Sequence, residues 1–86
     1  MRLVLSTRFK KHYRKLLKTL QTRTDERLKL FAGDPYHPLL NNHPLHGAQN
    51  DKRSISIGGD YRIVYCEIEP SVYLLIDIGT HSELYD

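Results

Sequence analysis

The sequence is poor in residues that cross-link a small domain or ligate a metal. Its 86 residues include one cysteine, Cys66, and no tryptophan. A lone cysteine excludes an intramolecular disulfide and every metal site built from several thiolates. No repeat, low-complexity segment or linker interrupts the chain. We therefore expect one small domain that spans residues 1–86.

Long apolar runs are also missing from the sequence. None approaches the length that a helix needs to cross a bilayer, and the segment from Met1 to Ser6 is too short for a secretion signal. A protein with these features and a single cysteine is by default cytoplasmic. We expect a cytoplasmic location and no membrane partner.

Charge is distributed unevenly along the chain. The formal net charge is +3, and the isoelectric point is about 9.1. Residues 2–29 are strongly basic, with only Asp25 and Glu26 opposing, whereas residues 67–86 are acidic. This excess is well below that of a histone, but it favours anionic partners for the N-terminal part, either phosphate groups or an acidic protein.

The N-terminal part has the spacing of two helices. A short strand at 2–5 precedes Ser6, a suitable N-cap, and an apolar stripe at helical spacing follows. The stripe consists of Phe9, Tyr13, Leu16, Leu17 and Leu20. A break at 21–23 precedes Thr24, which predicts a second helix capped by Thr24 and ended by Gly33. The two helices are expected to form a helical hairpin.

The C-terminal part has the patterns of strands. Residues 53–57 alternate strictly between polar and apolar, and the glycine pair at 58–59 predicts a hairpin turn into a strand at 60–67. The nearly continuous apolar segment 72–78 is typical of a central strand that is covered on both faces. The order β-α-α-β-β-β predicts an α+β fold, with the helical hairpin packed on a mainly antiparallel four-stranded sheet.

Four polar side chains stand where a cleft can form. His43 lies in a proline-rich loop, Asp60 at the hairpin turn, Arg62 inside an apolar strand, and His81 just beyond the central strand. Within such a strand, Arg62 either closes an ion pair or projects into an open site. Two imidazoles and a guanidinium can together cleave a phosphodiester. One group takes the proton of a ribose 2′-OH, another protonates the leaving 5′-oxygen, and the guanidinium stabilises the phosphoryl charge.

Five histidines also invite a metal hypothesis. His43 and His46 are separated by two residues, but no carboxylate or further histidine recurs at a known ligand spacing. Cys66 lies in an apolar strand, where a small hydrophobic residue is the ordinary interpretation. We expect no metal and no cofactor.

Three stretches carry a resemblance to a known family. They are Asp-Tyr-Arg-Ile-Val-Tyr at 60–65, Ile-Gly-Thr-His-Ser-Glu-Leu-Tyr at 78–85, and Asn-His-Pro-Leu-His-Gly at 42–47. The first two, with the element order, resemble the RelE/ParE superfamily of bacterial toxins. The third resembles the His-Pro-Leu-x-Gly loop of its YafQ-type branch. The resemblance covers nearly the whole chain.

The resemblance implies a toxin of a type II toxin–antitoxin pair, whose partners are a cognate antitoxin, the ribosome and mRNA. YafQ-type members cut mRNA in the ribosomal A site by 2′-OH attack, without a metal, and leave a cyclic phosphate. By position, His43, Asp60 and His81 match residues of this branch, and Arg62 matches the catalytic strand arginine of RelE. Tyr85 matches the terminal aromatic residue, for which we expect a role in substrate binding.

The sequence departs from the branch at one position. Ser56 stands where the branch has another active histidine, and a hydroxyl cannot replace an imidazole as acid or base near neutral pH. Either the rate is lower, or the proton transfers fall on His43 and His81 alone. We assign Ser56 and Arg53 to substrate binding. Two alternatives are a ParE-type inhibitor of DNA gyrase and a degenerate member that only binds its antitoxin.

Overall fold

A computed structural model describes residues 1–85. The elements are β1 (Arg2–Leu5), α1 (Thr7–Arg14), α2 (Lys18–Gly33), β2 (His43–Pro44), β3 (Arg53–Gly58), β4 (Tyr61–Glu69), β5 (Val72–Thr80) and α3 (His81–Tyr85). The predicted α+β class, with a helical hairpin on a mainly antiparallel sheet, is confirmed. No helix within these residues is long and apolar enough to cross a membrane.

The sheet has five strands in the order β1-β5-β4-β3-β2. β1 runs parallel to β5, and the other neighbours are antiparallel. The predicted number of four strands is wrong because it omits β2. This strand is only two residues long, and it forms where His43 pairs with Ser54 and Pro44 with Arg53 at the edge of the sheet. The pairing brings the proline-rich loop against β3.

The helical hairpin bends earlier than the sequence predicts. α1 and α2 are separated at residues 15–17, and the predicted break at 21–23 lies inside α2. Leu17, predicted to belong to the buried stripe, occupies the bend and is 74% exposed. The side-chain amide of Gln21 donates to the carbonyl of Tyr13 at 3.0 Å. The same carbonyl accepts the backbone N–H of Leu16 at 3.1 Å, so the end of α1 and the start of α2 are joined at this one oxygen.

Ser6 and Thr24, both predicted as caps, have different surroundings. The N–H of Phe9 donates to the Ser6 hydroxyl at 2.9 Å, and that hydroxyl donates to the carbonyl of Ile76 at 2.6 Å. Ser6 therefore caps α1 and joins it to β5. Thr24 is fully buried inside α2 and donates to the carbonyl of Leu20 at 2.7 Å. Its prediction as a cap is wrong because α2 already begins at Lys18, so Thr24 lies inside the helix and its hydroxyl bonds back to the preceding turn.

The last turn of α1 is also joined to β5. Nδ1 of His12 lies 2.6 Å from Oδ1 of Asp77, and the same oxygen accepts the N–H of Ile78 at 2.8 Å. The sequence did not predict this pair. Because its Nδ1 is held by Asp77, His12 fixes α1 against the sheet.

One face of the sheet carries the apolar core. The core consists of Phe9, Phe31, Leu40, Ile55, Ile57, Ile63, Tyr65, Leu75 and Ile78. Strand alternation places Ile55 and Ile57 on this face of β3, and Ser54 and Ser56 on the other. The polar half of β3 consequently points away from α2.

The glycine pair at 58–59 sets the register of the β3–β4 hairpin. The φ angles of the two glycines are +114° and +56°, in the region that residues with a side chain rarely adopt. A Cβ on Gly58 would also lie 2.6 Å from Nη1 of Arg23. The predicted turn is confirmed, and the resulting register pairs Ser56 with Arg62.

Candidate active site

A cleft of about 200 Å³ lies near the β2 edge of the sheet. It is lined by His43, Leu45, Arg62, His81 and Tyr85. These residues come from β2, the loop after it, β4 and α3. The structure thus brings together three of the four predicted catalytic side chains and the predicted aromatic residue, although as many as 42 positions separate them in the sequence.

Arg62 is held in the cleft by uncharged acceptors. Its Nε donates to the Ser54 hydroxyl at 2.7 Å, and its Nη2 lies 3.3 Å from the carbonyl of Asn41. Of the ion pairs formed within residues 1–85, none includes Arg62. Of the two alternatives for this strand arginine, projection into an open site is therefore the one that the structure supports.

The imidazole of His43 is held at Nδ1 by two neighbours. Its Nδ1 lies 2.9 Å from the carbonyl oxygen of Asn41 and 3.2 Å from Nη2 of Arg62. A carbonyl oxygen only accepts and a guanidinium only donates, so Nδ1 pairs with one or the other according to the tautomer. In the tautomer whose Nδ1–H donates to Asn41, the shorter of the two contacts, Nε2 is the ring atom that can accept a proton.

His81 is the first residue of α3. Its backbone N–H donates to the carbonyl of Asp60 at 3.2 Å, while its side chain is exposed to solvent. Its ring packs edge-on against Tyr85, with 4.7 Å between the centroids and 68° between the planes. The predicted helical turn after β5 is confirmed, and the two side chains share a face of that turn.

A capping box fixes the start of α3. The N–H of Thr80 donates to Oε1 of Glu83 at 2.7 Å, and the N–H of Glu83 donates to the Thr80 hydroxyl at 3.3 Å. The backbone N–H of Thr80, followed by its side chain, lowers the pKa of Glu83 below its ordinary value. The capping box holds His81, which lies between these two residues, at a fixed place on the rim of the cleft.

Ser54 was not predicted as a site residue. It is fully buried, and its hydroxyl accepts hydrogen bonds from Nε of Arg62 at 2.7 Å and from the Tyr85 hydroxyl at 2.9 Å. One side chain on β3 thus connects β4 to α3. The only signal in the sequence was a polar residue on the same strand face as Arg62.

Three predicted site residues, Asp60, Arg53 and Ser56, do not line this cleft. Asp60 lies at the exposed turn, and it contacts the site through its backbone carbonyl, which accepts from His81. Arg53 lies on the opposite face of β3, where its Nε donates to Oδ1 of Asn42 at 2.8 Å and its guanidinium stands 5.4 Å from the ring centroid of Tyr36. Within residues 1–85, no group of three metal-binding side chains is placed to hold an ion.

Comparison with known families decides the relationship. The family model of YafQ, a bacterial toxin of type II toxin–antitoxin systems, matches residues 1–86 of the chain. The chain belongs to the YafQ toxin family. Comparison with curated protein sequences gave no match. The predicted YafQ-type relationship is confirmed.

Solved structures resemble this YafQ-family toxin along almost its whole length. YafQ from E. coli strain BL21(DE3) has a TM-score of 0.83 at 18% identity and covers 100% of both chains. The YoeB/ParE toxin from Agrobacterium tumefaciens has a TM-score of 0.79 at 19% identity, covering 94% of this chain and 99% of that one. YafQ in the E. coli DinJ–YafQ toxin–antitoxin complex has a TM-score of 0.80 at 18% identity, covering 98% of this chain and 96% of that one. At such identities the likeness establishes the RelE-like fold alone.

Ser56 marks the departure of this YafQ-family toxin from the branch pattern. It pairs with Arg62 in the sheet, and its hydroxyl accepts the N–H of Gly58 at 3.2 Å. The side chain is not among those that line the cleft. Ser56 therefore contributes to the hairpin turn, and the imidazoles present in the cleft are those of His43 and His81.

Proposed function

We propose that this chain is a ribosome-dependent mRNA endoribonuclease that acts in the cytoplasm. The observation that carries the proposal is the shared cleft. It contains two imidazoles, a guanidinium that forms no ion pair with a carboxylate of residues 1–85, and an aromatic ring. These are the groups that a 2′-OH attack on a phosphodiester requires. Membership of the YafQ family supports the same activity.

In the proposed mechanism, His43 is the general base. Nε2 of the neutral ring takes the proton of the 2′-OH, in the tautomer whose Nδ1–H donates to the Asn41 carbonyl. The 2′-oxygen forms a bond to phosphorus. His81, in its protonated form, gives a proton to the 5′-oxygen as the P–O5′ bond breaks. The products are a 2′,3′-cyclic phosphate and a 5′-hydroxyl, and these two side chains account for both protons.

Arg62 stabilises the charge that develops on the phosphoryl oxygens. A guanidinium has five N–H donors. The contacts of Nε with Ser54 and of Nη2 with Asn41 leave the remaining donors available for phosphate. Because these contacts are made before substrate binds, little reorganisation accompanies the reaction. Tyr85, oriented through Ser54, offers its ring to an mRNA base.

Asp60 contributes through its backbone in this proposal. Its carbonyl accepts the N–H of His81, so the hairpin turn helps to orient the general acid. We propose that Asp60 is a positioning residue and that its carboxylate moves no proton. Replacement by asparagine is expected to leave cleavage nearly unchanged, which a pH–rate profile would check.

We also infer that an antitoxin covers the basic surface of the helical hairpin. The relative YafQ has been solved in a toxin–antitoxin complex with DinJ. In this chain Lys11, Arg14 and Lys18 are exposed on the hairpin and suit an acidic segment that folds on binding. The affinity should fall with rising salt. An affinity independent of salt and of charge reversal at these three residues would contradict the inference.

The decisive experiment uses purified ribosomes programmed with a defined mRNA. The wild type should cut it and leave cyclic phosphate ends, and a 2′-deoxy nucleotide at the cut position should abolish cleavage. His81→Ala should lower the rate roughly 10²–10⁴-fold. The matched control is His46→Ala, an exposed imidazole outside the cleft, which should cut at the wild-type rate.

Two results would contradict the nuclease proposal. One is equal cleavage by wild type and by folded His81→Ala. The other is inhibition of gyrase supercoiling by a wild type that leaves ribosome-bound mRNA intact, which would indicate the ParE-type alternative.

A further inference from the structure

A second cavity lies on the opposite face of β3. Its volume is about 370 Å³, and its walls include Tyr36, Pro44, Arg53, Tyr65 and Tyr73. The proposed reaction uses none of these residues. Tyr65 is only 2% exposed, so the aromatic surface open to a flat, polarisable ligand is that of Tyr36 and Tyr73, beside the Arg53 guanidinium.

Tyr36 and Arg53 together form a stacking platform. The ring of Tyr36 is 67% exposed, which is unusual for an aromatic side chain in the wall of a cavity. The Arg53 guanidinium stands 5.4 Å from the ring centroid. Its Nε donates to Asn42 at 2.8 Å, and the Asn42 amide donates to the Tyr65 hydroxyl at 2.7 Å. The guanidinium side of the platform is therefore held before any ligand binds, and the exposed Tyr36 ring lies beside it.

Carboxylates at the same cavity provide hydrogen-bond acceptors that distinguish one nucleobase from another. Asp51 and Glu67 line it. A carboxylate accepts a hydrogen bond from the exocyclic amino group of adenine, cytosine or guanine, and uracil has no such group. Proteins that bind unpaired RNA commonly stack its bases on aromatic rings and arginine planes.

β2 separates this cavity from the cleft. His43 and Leu45 line the cleft, and Pro44, between them, lines the second cavity. β2 is also the last strand of the sheet and only two residues long. The two cavities therefore lie on either side of this short edge strand, around which a single strand of RNA would pass to occupy both.

We propose that the second cavity binds an unpaired base of the mRNA that flanks the cleavage site, and that it favours adenine, cytosine or guanine over uracil. The assignment rests on the proposed nuclease function for its biological substrate. The base-binding property itself is testable without cleavage.

The first experiment measures binding to a short RNA with 2′-O-methyl riboses, which cannot undergo 2′-OH attack. A 2-aminopurine at the flanking position reports stacking by loss of fluorescence. Tyr36→Ala should lower the affinity about tenfold and remove the quenching, whereas Tyr36→Phe should retain both. Leu39→Ala, 58% exposed in the same loop and outside the cavity, is the matched control and should bind as the wild type does.

The second experiment maps cleavage sites on ribosome-bound mRNA. The wild type should avoid uracil at one flanking position, and Tyr36→Ala should lose that bias while still cutting. Quenching that depends on Tyr36, in a protein that does not cut, would support the base site and contradict only the nuclease function. Cleavage with an unchanged bias and unchanged quenching in Tyr36→Ala would overturn the proposal. So would a Tyr36→Ala variant that loses affinity for the antitoxin alone, since the cavity would then be a protein contact.

Discussion

On one face of β3, Ile55 and Ile57 are fully buried among the core residues; on the other, Ser54 and Ser56 lie beside Arg62. The apolar face stabilises the fold in proportion to the area removed from water, and this effect does not require a specific contact for each atom. The polar face has to satisfy each donor and acceptor, which fixes the position of every side chain. Stability and site geometry are therefore carried by opposite faces of the same strand.

The largest expected effect on stability comes from a substitution in the apolar core. Phe31 is fully buried, with its ring centroid 4.9 Å from that of Tyr65 and 5.6 Å from that of Tyr73. Phe31→Ala should lower the free energy of unfolding by about 3–5 kcal/mol, much of the total for a domain of this size. Denaturant titration measures the loss. Leu17→Ala, at an exposed position, is the control and should cost below about 0.5 kcal/mol.

The next effect concerns the polar face. Arg62→Ala should lower mRNA cleavage roughly 10²–10³-fold, since it removes a preorganised donor to the phosphoryl charge. The free energy of unfolding should change by less than about 1 kcal/mol. Arg62→Lys keeps the charge without the fork and should recover only part of the rate. Circular dichroism alongside the cleavage assay is the check, and an unfolded Arg62→Ala would show that this arginine is structural.

A substitution at Ser54 is expected to affect both the stability of the fold and the rate of cleavage. Ser54→Ala leaves Nε of Arg62 and the Tyr85 hydroxyl without their acceptor, which should cost about 1–3 kcal/mol of stability. Cleavage should fall less than in Arg62→Ala, because the guanidinium is still present. Tyr85→Phe should cost less than Ser54→Ala, since it removes one of the two hydrogen bonds. A double-mutant cycle on unfolding free energies should give non-additive losses, and strictly additive losses would contradict the shared contact.

The smallest effect is a pH dependence at the capping box. The hydrogen bonds from Thr80 lower the pKa of Glu83, so their stabilisation is complete above the ordinary glutamate pKa of 4.5. It is lost as the pH falls through the lowered value. Because the side chain is exposed, we expect about 0.5 kcal/mol or less. Below pH 4.5 the wild type should lose stability relative to Glu83→Gln, whose amide does not titrate. Parallel pH profiles of the two proteins would contradict this account.

The strands were predictable because alternation is a local property. Residues 53–57 and 72–78 carry their pattern in consecutive positions, and the glycine pair at 58–59 requires its turn wherever it occurs. β2 was not predictable, because two residues carry no period and form a strand only by pairing with β3. The helix break was misplaced because apolar spacing runs through Leu17 although the backbone turns there.

The candidate site divides in a similar way. His43, Arg62 and His81 were found because their chemistry is unusual for their positions. Ser54 was missed because an ordinary serine in an alternating strand is common, and its partners lie 8 and 31 residues away. Arg53 was assigned to substrate binding from the sequence; strand alternation places it on the face of β3 opposite the cleft, so any such role belongs to the second cavity.

The parallel pairing of β1 with β5 has a consequence for the order of folding events. Residues 2–5 pair with residues 72–75, and the Ser6 hydroxyl reaches the carbonyl of Ile76 across 70 positions. The β3–β4–β5 meander needs only short turns, whereas β1 must close almost the entire chain, and that entropic cost precedes any gain from pairing. We therefore expect β1 to dock after the rate-limiting step. Weakening the β1–β5 pairing should therefore raise the unfolding rate and leave the refolding rate nearly unchanged in a chevron plot.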